Sequence, residues 1–471
     1  MAPVAVLLAG PAVLSFFSGG YFDGPRLWAA LGAWILVGIA AVTSPSPLPG
    51  ATPGRLAVAG LALLTVWTAV SLGWAPVAAN VVDDTQRLLL YLGALVAAAA
   101  LLRPAGLLRV CEPALALGAI AAVGFGLSER LLPGVVELER SLSANGRLDQ
   151  PLTYWNAMGA LAAIGLVLCA RMAGDGDNPR RLRTTAAALS PLLGLGLFLS
   201  VSRGAIAACF AGLAVLLYLA PHRLALRATI VCAASAVLAS GASLALPAVR
   251  SLEGDASSAQ LQGLVMLVVL TALGSIAAVA LSRAQPADAE REAVGPGLRR
   301  ALGVAAVVAL VAGLAIAVTN SGEQRTIAGS SDTQAGTGRL TSIDSSRYGL
   351  WKVAASSFAE NPVEGIGSGG FRVVWFAERT SRDPARDVHS LYLETAAELG
   401  LIGLAALALL LVGVALSARR ALALHPGAAA GPVAALCTYA VHAGLDWDWE
   451  MPALTLVALV LVGGLIAASE Q

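Results

Sequence analysis

One polar stretch, residues 344–400, carries six of the chain's 30 basic side chains and stands out from the long apolar runs around it. A histidine can accept a proton from an attacking hydroxyl group, and an arginine can hold a phosphate group through a planar fork of donors. Because the stretch contains both residue types, we expect the chemistry here. Its cationic side chains and its single histidine are Arg347, Lys352, Arg372, Arg379, Arg382, Arg386 and His389.

Two further positions bring polar side chains to the ends of apolar runs. Arg203 stands between two such runs, so its guanidinium is expected at the membrane surface, where it either binds phosphate or snorkels to lipid headgroups. Tyr154 and Asn156 open another run on the same face. An interfacial aromatic belt and helix capping also explain these residue types. For His389, a surface position at a helix start is the alternative to catalysis.

An acidic turn, Asp-Trp-Asp-Trp-Glu at 446–450, places carboxylates at alternate positions. Their oxygens could bind a divalent cation, or the turn could be solvated and carry two interfacial tryptophans. The sequence contains no HExxH, GxxxxGK[ST] or GxSxG motif. The segment Gly-Ser-Gly-Gly at 367–370 lacks the spacing of the last of these.

The composition is that of a membrane protein. Of 471 residues, 57% are hydrophobic and 13% charged, whereas soluble domains are about 25% charged. The apolar runs are continuous and approach the roughly 20 residues that a membrane helix needs, so we predict an all-α polytopic protein of about 12–14 transmembrane helices. A net charge of +1 gives no reason to expect a nucleic-acid partner. The five cysteines lie in apolar segments and are interpreted as small hydrophobic residues.

The predicted spans and the basic loops between them give an orientation. Arginine-rich short loops at 171–183, 221–227, 283–300 and 419–426 alternate regularly with the other loops, which places them in the cytoplasm. The long loop 320–390 and the turn 446–450 then lie outside, and the N-terminus is a first span rather than a cleaved signal. The runs are 4–19, 26–43, 55–73, 86–102, 107–127, 154–173, 184–200, 203–220, 224–246, 259–282, 300–319, 391–418, 430–446 and 452–468.

The long loop has two parts in this interpretation. Residues 320–343 are rich in Gly, Ser and Thr and are predicted to be irregular. A helix capped by Asp344 or Ser345 runs to Glu360, a glycine turn follows, and a short helix spans 371–379. The next helix begins near Val388 and enters the membrane. We therefore divide the chain into a transmembrane bundle (1–319), an extracytoplasmic loop (320–393) and C-terminal transmembrane helices (394–471).

These motifs together resemble the bacterial O-antigen ligase/polymerase superfamily. The resemblance rests on Ser-Arg-Gly at 202–204, on SSRYGLWKVAASSFAENPVEGIGSGGF at 345–371 and on DVHSLYLETAAELGLIGL at 387–404. It covers about residues 150–418. The family shows a W…F…P..G.G…F pattern in a large periplasmic loop, then an H…L…E.G..G helix entering the membrane. One departure is Ser390, where the family often has an asparagine that could orient the acceptor.

The resemblance implies a metal-independent, cofactor-free membrane glycosyltransferase in the bacterial inner membrane, with the large loop extracytoplasmic. Its donor would be a glycan on undecaprenyl diphosphate, and its acceptor a hydroxyl group of a glycan, lipid or protein. Arg203 and Arg347 match the family's arginines and would hold the diphosphate; His389 matches its histidine and would activate the acceptor. Further substrate-binding candidates are Tyr154, Asn156, Trp351, Arg372 and Glu394.

Three alternatives remain open from the sequence. A polysaccharide polymerase would use the same donor and cannot be separated from a ligase. A small-solute transporter of the bicarbonate type would show ionisable residues at mid-membrane, whereas the charges here lie near the outer ends of the spans. A structural membrane scaffold would not need the arginine and histidine residues.

Overall fold

The computed structural model describes residues 1–104, 106–139, 141–252, 255–283, 347–379 and 384–471, with positions 293, 295, 297, 300, 301 and 304. In these residues the chain forms α-helices and short 3-10 turns, without strands. Each predicted apolar run coincides with a helix, except for 300–319, most of which lies outside the described residues. The helices are α1 (Ala2–Ser15), α2 (Asp23–Thr43), α3 (Thr52–Val70), α4 (Ala78–Leu101), α5 (Leu107–Leu131), α6 (Trp155–Gly174), α7 (Arg180–Leu199), α8 (Arg203–Leu219), α9 (Arg223–Ser243), α10 (Pro247–Ser251), α11 (Ala256–Ser282), α12 (Arg347–Glu360), α13 (Phe371–Glu378), α14 (Leu391–Leu424), α15 (Pro426–Ala443) and α16 (Pro452–Ala468).

The helices sort into a buried centre and an apolar periphery. By length and composition, nine helices of the described part are able to cross a membrane, and α1, α8 and α16 are shorter apolar helices. The most apolar 18-residue stretch of α6 is entirely buried. In the corresponding stretches of α2 and α11, only 22% and 28% of the residues are buried. Apolar residues exposed on a bundle of this kind face lipid, where only helices satisfy the backbone. The predicted all-α polytopic class is confirmed.

Glycines let neighbouring helices approach closely, which explains part of their abundance. A Cβ atom on Gly60 of α3 would lie 2.3 Å from the backbone nitrogen of Leu410 in α14. Likewise, a Cβ atom on Gly413 would lie 2.3 Å from Ala57 N. Such small residues are typical of helix interfaces in lipid, where packing and not water exclusion holds helices together.

The short helices of the long loop form close to their predicted positions. Helix α12 ends at Glu360 and α13 spans Phe371–Glu378, as expected. Helix α14 begins at Leu391, three residues after the predicted start, so the proposed boundary at 393/394 falls within its first turn. The predicted caps and the irregular segment lie outside the described residues, and the three-part division stays a prediction. Side chains from α12, α13 and α14 share one small apolar cluster that includes Leu350, Val353, Phe371, Trp375 and Ala397.

Helix α14 is interrupted at Gly400, and the glycine turn of the loop supplies hydrogen bonds to the backbone groups at the interruption. Gly400 has φ 62° and ψ −159°, a conformation that favours glycine. The backbone carbonyl groups freed before it accept hydrogen bonds from the turn, at 3.0 Å from Ile366 N to Ala397 O and 2.9 Å from Gly367 N to Glu398 O. Beyond the break, Leu401 N donates to Pro362 O at 2.8 Å. The loop is therefore held against the helix whose start carries His389.

Candidate active site

Asp446 joins the predicted catalytic residues although they are far apart in the sequence. Its side chain is fully buried just after α15. Oδ2 lies 2.5 Å from Arg347 Nη2, and Oδ1 accepts from His389 Nδ1 at 3.0 Å and from the hydroxyl group of Tyr154 at 2.6 Å. Burial alone would raise its pKa, but Arg347 and His389 hold the pKa of Asp446 well below the usual range. Asp446 is therefore an ionised carboxylate surrounded by donors.

His389 is held in a fixed backbone conformation at the start of α14. It has φ 57°, in the left-handed region, and the following residue, Ser390, caps the helix by accepting from Leu393 N. On the other side, Val388 N donates to Glu394 Oε2 at 2.9 Å. Donation from Nδ1 to Asp446 fits a neutral imidazole with its proton on Nδ1, which leaves the Nε2 lone pair to accept a proton. The side chain is 24% exposed.

The two arginines predicted to bind the diphosphate belong to different helices. Arg347 lies in α12, and its side chain is 25% exposed. Arg203 is exposed at the first position of α8, directly after the capping residue Ser202. The start of α8 packs on the end of α15, since Ser202 Oγ lies 3.4 Å from His442 Nε2. Arg203 is therefore at the same end of the bundle as Asp446.

Tyr154 and Asn156 support Asp446 from within the protein. Asn156 Nδ2 donates to the Tyr154 hydroxyl group at 2.7 Å, and that group donates to Asp446. Burial and the Asp446 charge raise the pKa of Tyr154 well above its ordinary value, so it remains a hydrogen-bond donor. Both side chains are buried and their hydrogen bonds lead to Asp446, so their substrate-binding roles stay predictions.

The other three substrate-binding candidates lie in different surroundings. Glu394 contacts the backbone of Val388, so it positions the residue before His389. Trp351 packs beside the small apolar cluster of the loop helices. Arg372 is exposed on α13, with its guanidinium carbon 6.0 Å from the centre of the Phe376 ring. The described contacts do not join Trp351 or Arg372 to Asp446, and their substrate-binding roles stay predictions.

The acidic turn 446–450 is buried and not solvated, and its carboxylates have separate partners. Asp448 contacts His442 Nδ1, with both side chains fully buried. Glu450 pairs with Arg87 of α4. Since Asp446 engages Arg347 and His389, the three carboxylates do not converge. Within the described residues, no group of three or more His, Cys, Asp and Glu side chains has the arrangement of a metal site.

Sequence reasoning missed the contacts of Asp446 and His442. The predicted span 430–446 contains His442, and Asp446 begins a turn that has two interpretations. The available signal was a row of carboxylates between two strongly apolar helices, because buried charges in such a place must be paired or used. The partners could not be named from that signal alone.

A family comparison covers part of this site. The O-antigen ligase family matches residues 188–408, a segment that includes Arg203, Arg347 and His389. No curated protein matches the chain at a significant level. Members of the family are membrane glycosyltransferase-like ligases and polymerases, in agreement with the multi-pass helical fold. Residues 188–408 are thus similar to the O-antigen ligase family, which supports the resemblance seen in the sequence.

Proposed function

We propose that the protein transfers a glycan from an undecaprenyl-diphosphate donor to a hydroxyl acceptor on the outer face of a bacterial inner membrane. One observation carries this proposal: the two oxygens of Asp446 hold a cation, Arg347, and a histidine, His389. A cation suits the leaving diphosphate and a histidine suits the attacking hydroxyl group. The carboxylate fixes both groups in one place before substrates bind.

Arginine provides the donor half of the reaction. When the bond between the anomeric carbon and the diphosphate oxygen breaks, the electron pair leaves with the diphosphate, which is a stable anion. Protonation of the leaving group is therefore dispensable, and charge stabilisation is the main requirement. In the proposed role, Arg347 and Arg203 hold the diphosphate, and the contact between Arg347 and Asp446 orients the guanidinium. The polyprenyl tail lies between apolar helices.

His389 provides the acceptor half. The acceptor oxygen bonds to the anomeric carbon while His389 Nε2 takes its proton, and the carboxylate of Asp446, 3.0 Å from Nδ1, stabilises the resulting imidazolium. Tyr154 and Asn156 keep that carboxylate in position. This sequence of steps uses no metal ion. A polymerase would differ only in the acceptor, which would be a second lipid-linked glycan.

Reconstitution tests the proposal directly. The purified protein in vesicles is given a glycan on undecaprenyl diphosphate together with either a lipid A core acceptor or a second lipid-linked glycan. Transfer to either acceptor, with release of the lipid diphosphate, supports the proposal, and the acceptor used separates ligase from polymerase. If neither acceptor receives glycan and the donor remains intact, the proposed function is wrong.

Thiol labelling in whole cells tests the membrane side. Cysteine at Glu360, exposed at the end of α12, should react with an impermeant reagent. Cysteine at Arg181, exposed at the start of α7 in a predicted cytoplasmic loop, should react only after lysis. The reverse pattern would overturn the orientation. The unmodified protein gives the background from its own cysteines, four of which are buried.

A further inference from the structure

A second set of side chains beside His389 has the composition of a sugar-binding site. Trp447 is anchored on the same oxygen as the histidine, since its backbone nitrogen donates to Asp446 Oδ1 at 2.9 Å. Its ring centre lies 6.4 Å from that of His389, edge to face, and 5.6 Å from that of Tyr21 in the turn between α1 and α2. Tyr21 in turn lies 5.4 Å from the ring of Phe22. A row of three aromatic rings therefore leads away from His389, the proposed base.

Charged groups rim these rings. Arg386 donates to the Tyr21 hydroxyl group at 3.3 Å and lies 3.9 Å from Asp83, with 37% of the arginine side chain and 30% of the aspartate side chain exposed. Arg26, which is buried, holds the rim in place by donating to Tyr21 O at 3.1 Å and to Asp83 at 3.2 Å. It also pairs with Asp23, whose side chain is 69% exposed. These contacts between the protein's own groups fix the charged side chains around the rings.

We infer that Tyr21, Trp447, Asp83 and Arg386 form a subsite for a neutral pyranose of the acceptor, an inference that rests on the proposed function. The C–H face of a pyranose is apolar and packs on aromatic rings, while its hydroxyl groups bond to carboxylate and guanidinium groups. Carboxylates at least match the guanidinium groups around these rings, because Asp387 also lies near Tyr21, so no excess positive charge selects an acidic sugar.

The position of the subsite assigns it to the acceptor and not to the donor. The hydroxyl group that loses its proton must lie within hydrogen-bond distance of His389, so its sugar ring must rest on what flanks that histidine. Trp447 and His389 share Asp446 Oδ1, whereas Arg347 binds Oδ2. The aromatic rings and the proposed diphosphate ligand therefore use different oxygens of one carboxylate.

Binding of the full-length protein to a glycan array tests the subsite without requiring transfer. The array carries neutral hexose oligosaccharides and uronic-acid oligosaccharides. Tyr21→Ala is the main variant, since it leaves every side-chain donor to Asp446 in place. Neutral sugars should capture the wild type, Tyr21→Ala should bind about tenfold more weakly, and Tyr21→Phe should lose less than Tyr21→Ala. Trp28→Ala, which removes an indole that is 74% exposed on α2, is the matched control and should bind normally.

Kinetics in the reconstituted system separate this inference from the proposed function. Tyr21→Ala should raise the KM for the acceptor about tenfold and leave the KM for the donor unchanged. Equal capture of wild type and Tyr21→Ala, a preference for uronic acids, or a raised donor KM would overturn the subsite. If the wild type binds neutral sugars through Tyr21 yet transfers no glycan, the subsite stands and the proposed function fails.

Discussion

Two histidine–aspartate pairs are built on the same acidic turn, and they differ in their surroundings. Nδ1 of His389 contacts Asp446, and 24% of the histidine side chain is exposed. Nδ1 of His442 contacts Asp448, and neither side chain is exposed. The pKa directions also differ: burial raises the pKa of Asp448, whereas Arg347 and His389 overcome burial and lower that of Asp446.

In the proposed mechanism, access and not residue type decides which pair meets a substrate. Ser202, His442 and Asp448 follow one another in hydrogen-bond order, as in a hydrolase triad. Yet Ser202 is 3% exposed, and its hydroxyl group caps α8. This pair therefore joins helices α8 and α15, while His389 of the other pair is partly exposed, as its proposed role in proton transfer requires.

The largest expected effect is on the transfer rate when the partly exposed histidine, His389, is removed. His389→Ala should lower the transfer rate roughly 10²–10⁴-fold, the usual range for one general base, with the protein still folded and the donor still bound. Rates from the reconstituted assay and donor binding measured separately check this.

His389→Gln separates catalysis from positioning. Glutamine keeps a hydrogen bond to Asp446 but has no basic nitrogen. Full activity of this variant would show that the side chain positions the acceptor and is not the base. Full activity of both variants would remove His389 from the mechanism.

Loss of an arginine that binds the diphosphate should have the next largest effect on the transfer rate. Arg347→Ala should raise the barrier by about 2–4 kcal/mol, and so should Arg203→Ala. Lysine should restore only part of the rate at either position, because it lacks the bidentate fork. Lys352→Ala, which removes an exposed cation of the same helix as Arg347, is the control and should transfer normally. Lysine variants with wild-type rates would show that only diffuse charge matters.

The buried pair of His442 and Asp448 should matter more for stability than for transfer. His442→Gln still offers an N–H group to Asp448 but leaves a fully buried pair imperfectly satisfied, so it should cost about 1–3 kcal/mol of stability. Transfer per folded molecule should change less than in His389→Gln. Thermal unfolding in detergent and the transfer assay together measure this contrast. A stable His442→Gln protein without transfer would assign catalysis to the buried pair as well.

The membrane-spanning elements were predictable because lipid restricts the options. A chain in the bilayer must satisfy its own backbone, so long apolar runs become helices, and even the short helix at 371–378 follows from its flanking turns. The interruption at Gly400 was not predictable from the run Leu-Gly-Leu-Ile-Gly-Leu, because its hydrogen bonds come from Pro362, Ile366 and Gly367 in a separate segment.

The contacts between residues of the site could not be predicted from the sequence either. Arg347, His389 and Tyr154 were identified as candidates one by one. What joins them is Asp446, which is 99, 57 and 292 residues away from them in the sequence. Hydropathy places each residue at an end of a helix, but contacts across such separations depend on how the helices pack, which an alanine- and leucine-rich sequence does not reveal.

The smallest expected effect concerns the third carboxylate of the turn. Burial raises the pKa of Glu450 to about 8, although Arg87 opposes the rise; a free glutamate has a pKa of about 4.3. Between these values the folded protein keeps a proton that the unfolded chain has released, so the free energy of unfolding falls as pH rises through that window. Glu450→Gln cannot titrate, and its Tm should therefore change less than that of the wild type between about pH 5 and pH 8. A variant whose Tm falls as steeply as the wild type would assign the pH dependence to another group.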